Sequence, residues 1–371
     1  MKNSIYILSV FLLGLAVSGC KKTGSDSGIQ VTPALPTVTT NTATNINGTN
    51  ATVGGNITND GSTIVTEAGI VYSTTSGVDT SKNRTPNYTI SGNFSVTLKN
   101  LKLLTKYYYK AYAINEKGIT YGEEKSFFVP VNGYSTSSQV AASSLIAYWG
   151  FNGSYIDSVS KVLGTPNHAS ALSFVAGKIG QAVQVASPGY INSNITSTIA
   201  NLKSFTIVCW IMQPSSLASG PTTYFPFSLN KAGYSWEQTK FFMLFDRPDN
   251  TSNSYGKICI MDQWFDKGQV WPRMLDGNWH QMAISFDGST GALRVYIDGV
   301  LLSQSSTAAF NPQNNFGDAD SFTLGGPDDA TNTANGWMNS LSGTLDEFRV
   351  FNKALTTDEV QALYALQSNG F

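Results

Sequence analysis

One stretch of 27 residues, Asp276 to Leu302, constrains the fold of this chain more than any other. It contains two segments in which apolar and polar residues alternate, WHQMAISF and LRVYI, and such alternation predicts half-buried β-strands. The loop from Asp287 to Gly291 joins these segments, and the dipeptide Asp298-Gly299 then folds VYI back onto VLL as a two-residue hairpin. Three strands in so short a stretch leave no room for a helix, so an antiparallel meander is predicted.

The low charge of the chain excludes some functions. Its 371 residues carry a formal net charge of −1, and only 13% of them are charged. Nucleic-acid binding needs a basic patch or stripe, and the sequence contains none, so no nucleic-acid partner is expected. Short alternating segments separated by Gly, Asn and Asp recur along the chain, which predicts an all-β protein of two domains.

The N-terminus has the features of an exported, lipid-anchored protein. A charged start precedes an apolar run from Ile5 to Val17 and the sequence LAVSGC, which ends at Cys20. A run of about 13 apolar residues is too short to span a bilayer core of about 30 Å, so residues 1–19 are predicted to be a signal peptide. LAVSGC resembles the bacterial lipobox, which implies that Cys20 is lipid-modified. The protein is therefore expected on the bacterial outer membrane, at the cell surface or on the periplasmic face.

Composition divides the remainder of the chain. Residues 20–35 are polar and rich in small residues, which is typical of a flexible tether. Residues 36–129 contain several short β-rich runs separated by turn residues, and residues 130–144 form a Ser-rich linker. The second domain is expected to occupy residues 145–371.

The first domain resembles fibronectin type III modules. The segment LKLLTKYYYKAYA is similar to their Leu-x-Pro-x-Thr-x-Tyr corner, with Leu103 in place of the usual Pro. The resemblance implies an immunoglobulin-like sandwich in which a buried Tyr hydroxyl bonds to upstream backbone, here from Tyr107. Such modules are common in surface lipoproteins of Bacteroidetes-type bacteria, and a spacer role is implied. The aromatic residues from Tyr107 to Tyr112 are interpreted as core and cross-strand packing.

The second domain resembles the laminin-G-like, concanavalin A-like lectin/glucanase jelly rolls. The meander is similar to the central hairpins of that family, which have an acidic-Gly-x-Trp-His start and a Tyr-x-Asp-Gly turn. Further family motifs occur in the expected order: LIAYWGFNG from Leu145, GKIGQAV from Gly177, FTIVCWI from Phe205 and GTLDEFRVF from Gly343. The resemblance implies a jelly roll over residues 145–371. A short amphipathic helix is predicted from Thr357 to Tyr364, with Thr356 or Thr357 as its N-cap.

The sequence gives little support for catalysis. The laminarinase-like enzymes of the family carry three carboxylates at alternate positions of one strand, and no such pattern occurs here. The adjacent pair Asp346-Glu347 is expected to point to opposite faces of its strand. His168 and His280 lack the spacing of a zinc site, and His280 is interpreted as a packed, hydrogen-bonded residue. A non-catalytic protein is expected, with a divergent hydrolase or a hydrolase accessory as the third alternative.

A structural Ca²⁺ at the rim of the jelly roll is implied by the resemblance. Its candidate ligands are Asp157 and Asp346, since hard cations prefer carboxylate and carbonyl oxygens. The alternative is that Asp346 caps a turn while Glu347 pairs with Arg349 or a lysine. The two strand cysteines, Cys209 and Cys259, fit either a disulfide or two buried thiols.

The stretch from Gln213 to Pro272 is the most individual part of the second domain. Sugars present apolar C–H faces and polar edges, so a flat aromatic side chain beside hydrogen-bonding groups suits them. The predicted ligand-binding residues share this composition: Trp264, Trp271, Trp236, Tyr255, Asp262 and Arg273. We expect a glycan or polysaccharide as partner. The alternative is that the loop tryptophans cover the core and that the domain binds a protein, as an adhesion or scaffold lipoprotein.

Overall fold

The structure is a computed structural model that describes residues 32–214, 223–231, 241–246, 255–260, 263–265, 274, 276–306 and 316–371. Strands dominate these residues, which confirms the all-β prediction. Within them, no helix is both long enough and apolar enough to cross a membrane.

The first domain is a sandwich of two antiparallel sheets. One sheet contains β1 (Thr37–Thr40), β2 (Thr44–Asn47), β3 (Asn50–Asn59) and β6 (Gly92–Leu98). The other contains β4 (Glu67–Ser73), β5 (Asn83–Asn87), β7 (Thr105–Asn115), β8 (Gly118–Tyr121) and β9 (Lys125–Val129). The backbone N–H of Lys102 donates to the hydroxyl of buried Tyr107 at 3.0 Å, so this hydroxyl is hydrogen-bonded to upstream backbone, while the fibronectin type III assignment stays a prediction. Tyr109 and Tyr112 are buried, so both belong to the packing of the domain and not to an exposed platform.

The linker and the second domain contain the other elements. Short 3-10 turns lie at Ser137–Gln139, Ala142–Ser144 and Ala169–Ala171. The strands are β10 (Leu145–Trp149), β11 (Thr165–Asn167), β12 (Leu172–Ala176), β13 (Gln181–Val185), β14 (Tyr190–Asn192), β15 (Phe205–Met212), β16 (Thr223–Asn230), β17 (Phe241–Asp246), β18 (Tyr255–Ile260), β19 (Gln263–Phe265), β20 (Trp279–Asp287), β21 (Ala292–Ile297), β22 (Val300–Ser306), β23 (Ser321–Leu324) and β24 (Gly343–Phe351). The helices are α1 (Thr196–Ala200), α2 (Asp329–Asn335) and α3 (Thr357–Ser368).

The strands of the second domain form two sheets. The first sheet has eight strands in the order β12-β13-β24-β15-β20-β21-β22, with β10 also paired to β24. The second sheet has seven strands in the order β11-β14-β23-β16-β17-β18-β19. The predicted meander is confirmed as β20, β21 and β22. Its turn residues Asp298 and Gly299 have φ of 51° and 74°, so both adopt the left-handed conformation that a tight two-residue hairpin requires.

One apolar core fills the space between these two sheets. Trp149, Phe205 and Phe227 are buried in it, together with alternate residues of both sheets. The predicted family strand around Phe205 therefore supplies the centre of the sandwich. Each sheet also has an outer face, which points away from this core. The first sheet is covered there by a helix, and the second sheet presents polar side chains.

The C-terminal helix α3 covers the outer face of the first sheet. Val208 and Tyr296 of that sheet pack against Leu363 and Leu366 of the helix. The Thr356 hydroxyl accepts the N–H of Glu359, and the Glu359 carboxylate accepts the N–H of Thr356, so of the two predicted candidates Thr356 is the N-cap. The helix continues beyond the predicted end at Tyr364 to Ser368, because its last turn still buries apolar surface against the sheet.

Candidate functional site

A row of neutral polar side chains crosses the outer face of the second sheet. Thr165 lies opposite Asn192, Asn192 opposite Thr323, and Thr323 opposite Ser228. Their neighbours Ile191, Phe322 and Leu324 point into the core, so the paired polar residues face outward. We call Thr165, Asn192, Thr323 and Ser228 the polar row. It carries hydroxyl and amide groups and no charge.

The polar row opens to solvent at the edge strand β11. Thr165 is exposed and Asn192 is half-buried, whereas Thr323 and Ser228 are buried. Nδ2 of Asn194 donates to the hydroxyl of Thr165 at 2.9 Å and to the carbonyl of Leu163 at 2.8 Å, which fixes the open end of the row. The side chain of Leu163 is 59% exposed, so an apolar surface adjoins the polar groups there.

A second pair of polar residues lies next to the buried end of the row. Asn230 and Ser321 are cross-strand neighbours, and Nδ2 of Asn230 donates to the hydroxyl of Ser228. Oδ1 of Asn230 and Oγ of Ser321 are buried and have no hydrogen-bond partner among the described residues. Buried polar atoms are normally satisfied, so this pair leaves unmet hydrogen-bonding capacity on this face, although other such atoms, Gln281 Oε1 and Arg349 Nε among them, lie on the first sheet.

The outer face of the first sheet is occupied by a buried polar network. The Glu347 carboxylate accepts hydrogen bonds from Arg349 Nη2 at 2.7 Å, Gln367 Nε2 at 2.7 Å and the Tyr148 hydroxyl at 2.5 Å. Oε1 of Gln367 in turn accepts from Trp210 Nε1 at 2.8 Å. Burial and the adjacent Glu347 raise the pKa of Tyr148. Glu347 therefore forms the ion pair with Arg349 that was the alternative to a calcium site.

The expectation that Asp346 and Glu347 point to opposite faces is wrong. Trp210 is aligned with Asp346 and Val208 with Arg349, so β24 has one residue more than β15 at this point. Glu347 is the extra residue of this β-bulge, and its φ of 51° is left-handed. The bulge interrupts the alternation and leaves both carboxylates outside the core between the sheets.

Asp157 and Asp346 are both fully buried and engaged by hydrogen-bond donors. Asp157 accepts the N–H of Tyr148 at 2.7 Å and, from its own turn, the N–H groups of Val159 and Ser160 and the Ser160 hydroxyl. Asp346 accepts from the N–H of Ile179 at 3.0 Å and from its own neighbour Glu347.

Calcium at the two predicted aspartates would have to compete with these hydrogen-bond donors. Burial raises the pKa of Asp346 to about 7, so a bound cation would also have to offset the cost of ionising this carboxyl group. The described residues contain no group of three or more His, Cys, Asp or Glu side chains placed to hold a metal ion. Calcium at Asp157 and Asp346 therefore stays a prediction.

His280 and the two strand cysteines have structural surroundings. Nδ1 of His280 lies 2.8 Å from Asp298 and Nε2 lies 3.2 Å from Asp276. The bond to Asp298, followed by the charges of both carboxylates, raises the pKa of His280 despite its burial. Cys209 and Cys259 are buried in different apolar clusters and form no disulfide. Of the two alternatives, a pair of buried thiols is therefore the one found.

The predicted glycan-binding residues belong to the second sheet or lie outside the described residues. Tyr255 is in β18, and Trp264 is in β19 with its backbone paired to Cys259. Trp236, Trp271, Asp262 and Arg273 lie outside the described residues. Sequence reasoning missed the polar row. The signal was the alternation in FSLN and SFTL, where Ser228 and Thr323 sit between apolar residues.

The arrangement of two sheets around one core defines a jelly-roll sandwich, and residues 186–361 match the family model of the concanavalin A-like lectin/glucanases superfamily. The jelly-roll fold predicted for this part of the chain is therefore confirmed. No curated protein matches the chain.

Several solved structures are similar to part of the chain. The SAP-like pentraxin of Limulus polyphemus has 17% identity and a TM-score of 0.32, over 43% of this chain and 69% of that one. The binding domain of botulinum neurotoxin DC in complex with rat synaptotagmin II has 13% identity and a TM-score of 0.42, over 62% of this chain and 52% of that one. The Ruminococcus gnavus IT-sialidase CBM40 bound to α2,3-sialyllactose has 16% identity and a TM-score of 0.37, over 49% of this chain and 96% of that one. The chain thus spans about half the length of the toxin structure.

Proposed function

We propose that this protein is a membrane-anchored, non-catalytic glycan-binding lipoprotein and that its ligand lies on the outer face of the second sheet. The observation that carries the proposal is the polar row, which crosses four adjacent strands of that face. The first sheet is a poorer candidate, because helix α3 packs on its outer face. The family match to lectins and glucanases over residues 186–361 supports the same class of ligand.

The chemistry of the polar row suits a neutral sugar. Hydroxyl and amide groups both donate and accept hydrogen bonds, as sugar hydroxyls do. A charged ligand would favour a charged partner, and the row has none. Leu163 beside Thr165 adds exposed apolar surface that can contact the C–H face of a sugar ring.

The dimensions of the second sheet favour an extended polymer. Thr165 lies on one edge strand, β11, and Trp264 lies on the other, β19. Strands in a sheet are about 4.8 Å apart, so these edges are separated by roughly 29 Å along the sheet. A polysaccharide chain that contacts both the open end of the polar row, at Thr165 and Asn192, and the predicted residues of β18 and β19 must cross this distance.

The test is to block the open end of the polar row. Thr165→Arg places a long, charged side chain at an exposed position, so it should abolish or strongly weaken binding without touching the core. The matched control is Ser173→Arg, which makes the same change at an exposed residue of β12, the edge strand of the first sheet.

Affinity electrophoresis of both variants through gels containing soluble polysaccharides measures the effect. We expect that a polysaccharide which retards the wild-type protein and Ser173→Arg does not retard Thr165→Arg. Equal retardation of the two variants would show that the ligand lies elsewhere. A protein that no neutral polysaccharide retards would contradict the glycan assignment itself.

An exposed apolar strip favours the second candidate function, protein binding. Ile156, Val159 and Leu163 are 43%, 42% and 59% exposed on the loop that precedes β11. Exposed apolar groups close together mark interaction surfaces in many proteins. If Leu163→Ser abolished capture of a surface protein while leaving polysaccharide binding intact, the adhesion alternative would be favoured.

Lipid attachment at Cys20 is the remaining part of the proposal. One cysteine carries all the acyl chains, so Cys20→Ala should release the protein from membranes. Palmitate labelling of cells that express the two forms measures this directly, and labelling that survives the substitution would contradict the lipobox assignment.

A further inference from the structure

We propose that the end of the first domain at which the chain enters rests on the lipid surface through an apolar tip. The tip consists of Leu35, Ile64, Tyr88 and Ile90, which are 49%, 74%, 98% and 45% exposed. This inference depends on the lipid anchor of the proposed function, and it assigns a surface of the first domain that the glycan site does not use.

Strand register places these residues at one end of the sandwich. Asn87 pairs with Ala68 at the start of β4, so Tyr88 and the loop that contains Ile64 lie at the same end. Gly92 pairs with Ile57 near the end of β3, which brings Ile90 there as well. A depression of about 400 Å³ opens at this end, lined by Ile57, Thr58, Asn59, Asp60, Ser62 and Ser91.

The entering chain is fixed at the same end. The backbone N–H of Ala34 donates to the carbonyl of Gly61 at 2.8 Å, and Nδ2 of Asn115 donates to the carbonyl of Ala34 at 2.7 Å. Leu35 follows directly. The tip therefore lies where the described part of the chain begins.

Chain length keeps this end close to the proposed anchor. Thr32 follows Cys20 by twelve residues, and a chain of twelve residues spans at most about 42 Å when fully extended. The first domain leaves toward the linker at its opposite end, where Val129 pairs with Thr105. β7 runs between these ends, and its 11 residues cover roughly 35 Å. Contact at the tip would hold the jelly roll away from the membrane.

The charged residues around the tip give it no net positive charge, so apolar contact is its main attraction to a lipid surface. Arg84 lies 3.6 Å from Glu67 and Lys117 lies 3.6 Å from Glu116, while Asp60 adds a further negative charge at this end. Without an excess of positive charge, the tip has little electrostatic attraction for anionic lipid. Interfacial Tyr and aliphatic side chains instead bind through the apolar area that they bury.

Spin labelling of the lipidated full chain in phosphatidylethanolamine–phosphatidylglycerol vesicles tests the proposal. Tyr88→Cys introduces a thiol at the tip, while Cys209 and Cys259 are fully buried and inaccessible to the label. Val300→Cys, at a position 66% exposed on the jelly roll, is the matched control. We expect the label at position 88 to collide more with oxygen, which concentrates in lipid, than with a water-soluble nickel complex. The order should be reversed at position 300.

Two further conditions sharpen the result. High salt should leave the lipid contact at position 88 unchanged, because apolar contact is not screened. Adding Ile64→Ser and Ile90→Ser to Tyr88→Cys should move the label into water, with polysaccharide binding unaffected. A label at position 88 that is as water-accessible as the one at position 300 would overturn the proposal. A protein that does not stay with the vesicles would overturn it together with the lipid anchor, but not the glycan site.

Discussion

The two sheets of the jelly roll share one core and have opposite outer faces. The first sheet buries its outer face under helix α3, with Val208 and Tyr296 in apolar contact and the Glu347–Arg349 pair sealed in the same interface. The second sheet instead carries the neutral polar row. The comparison shows that the first sheet is used for internal assembly, and it is on the second sheet that we propose the ligand binds.

The buried network explains how the first sheet joins separate parts of the chain. Nη1 of Arg349 donates to the carbonyl of Ser137 in the linker at 3.0 Å, while Glu347 accepts from Gln367 of α3. The ring of Phe371 also lies against Phe128 of the first domain, with 5.2 Å between the ring centroids. The linker, the helix and the first domain are thereby held on one side of the jelly roll.

Breaking the network should have the largest effect on stability. Arg349→Ala leaves Glu347 as an uncompensated buried charge, so we expect the free energy of unfolding to fall by about 3–5 kcal/mol. Glu123→Ala is the control, because its pair with Lys125 is solvent-exposed and such pairs contribute about 1 kcal/mol or less. Urea denaturation measures both. Equal losses in the two variants would show that the network is not a stabilising feature of the first sheet.

The next largest effect concerns pH and the same sheet. Burial raises the folded-state pKa of Asp346 from 3.8 to about 7, so the folded protein binds a proton that the unfolded chain releases. The contribution of Asp346 to the free energy of unfolding is therefore fully present below about pH 4. As the pH rises to about 7 this contribution is lost, and the loss is at most about 4 kcal/mol.

Asp346→Asn should flatten this dependence between pH 4 and 7, because the amide does not titrate. The pKa of His280 is also raised, so this residue lowers the free energy of unfolding as the pH rises, in the wild type and in the variant alike. Melting temperatures across this pH range test the expectation. If the wild type and the variant had parallel profiles, Asp346 would be ionised throughout and the cost of its burial would be met by its N–H donors.

Local pattern and turn chemistry were sufficient to predict the framework of the second domain. The alternation in WHQMAISF and LRVYI, with Asp298-Gly299 between VYI and VLL, specified three strands that the structure contains. The cap at Thr356 was also predictable, because a capping box is a contact between residues three apart. These features need only neighbours in sequence.

The remaining features depend on contacts between distant segments. At the bulge, Tyr148, Arg349 and Gln367 converge on the Glu347 carboxylate, and strand alternation alone cannot show this. Likewise, Thr165 and Ser228 join one row only through the strand order of the second sheet. The site predicted from the sequence relied on tryptophans, of which Trp264 lies on β19, whereas the polar row consists of small polar residues on other strands of the same sheet.

The third prediction sharpens the role of the second sheet. A tryptophan stacked on a sugar should contribute on the order of 1–3 kcal/mol, so Trp264→Ala and Trp271→Ala should each weaken glycan binding by about ten- to a hundred-fold. Trp210→Ala on the first sheet should instead unfold the domain, because Trp210 is buried and stacked on Tyr364 of α3. Isothermal titration with a retarded polysaccharide, alongside thermal melting, separates the two effects. Wild-type affinity in both the Trp264 and the Trp271 variant would confine the ligand to the polar row.

The smallest expected effect tests whether Asp157 has any part in calcium binding. Its two carboxylate oxygens already accept hydrogen bonds from Tyr148, Val159 and Ser160, so a metal ion would have to displace these donors. We therefore expect a chelator to change the melting temperatures of the wild type and of Asp157→Asn by the same amount. A calcium ion held elsewhere would lower both equally, because a ligand bound only by the native state stabilises it. A chelator-induced fall that occurs in the wild type and disappears in Asp157→Asn would instead identify Asp157 as a calcium ligand and place a metal site beside β10, on the sheet that we assign to internal assembly.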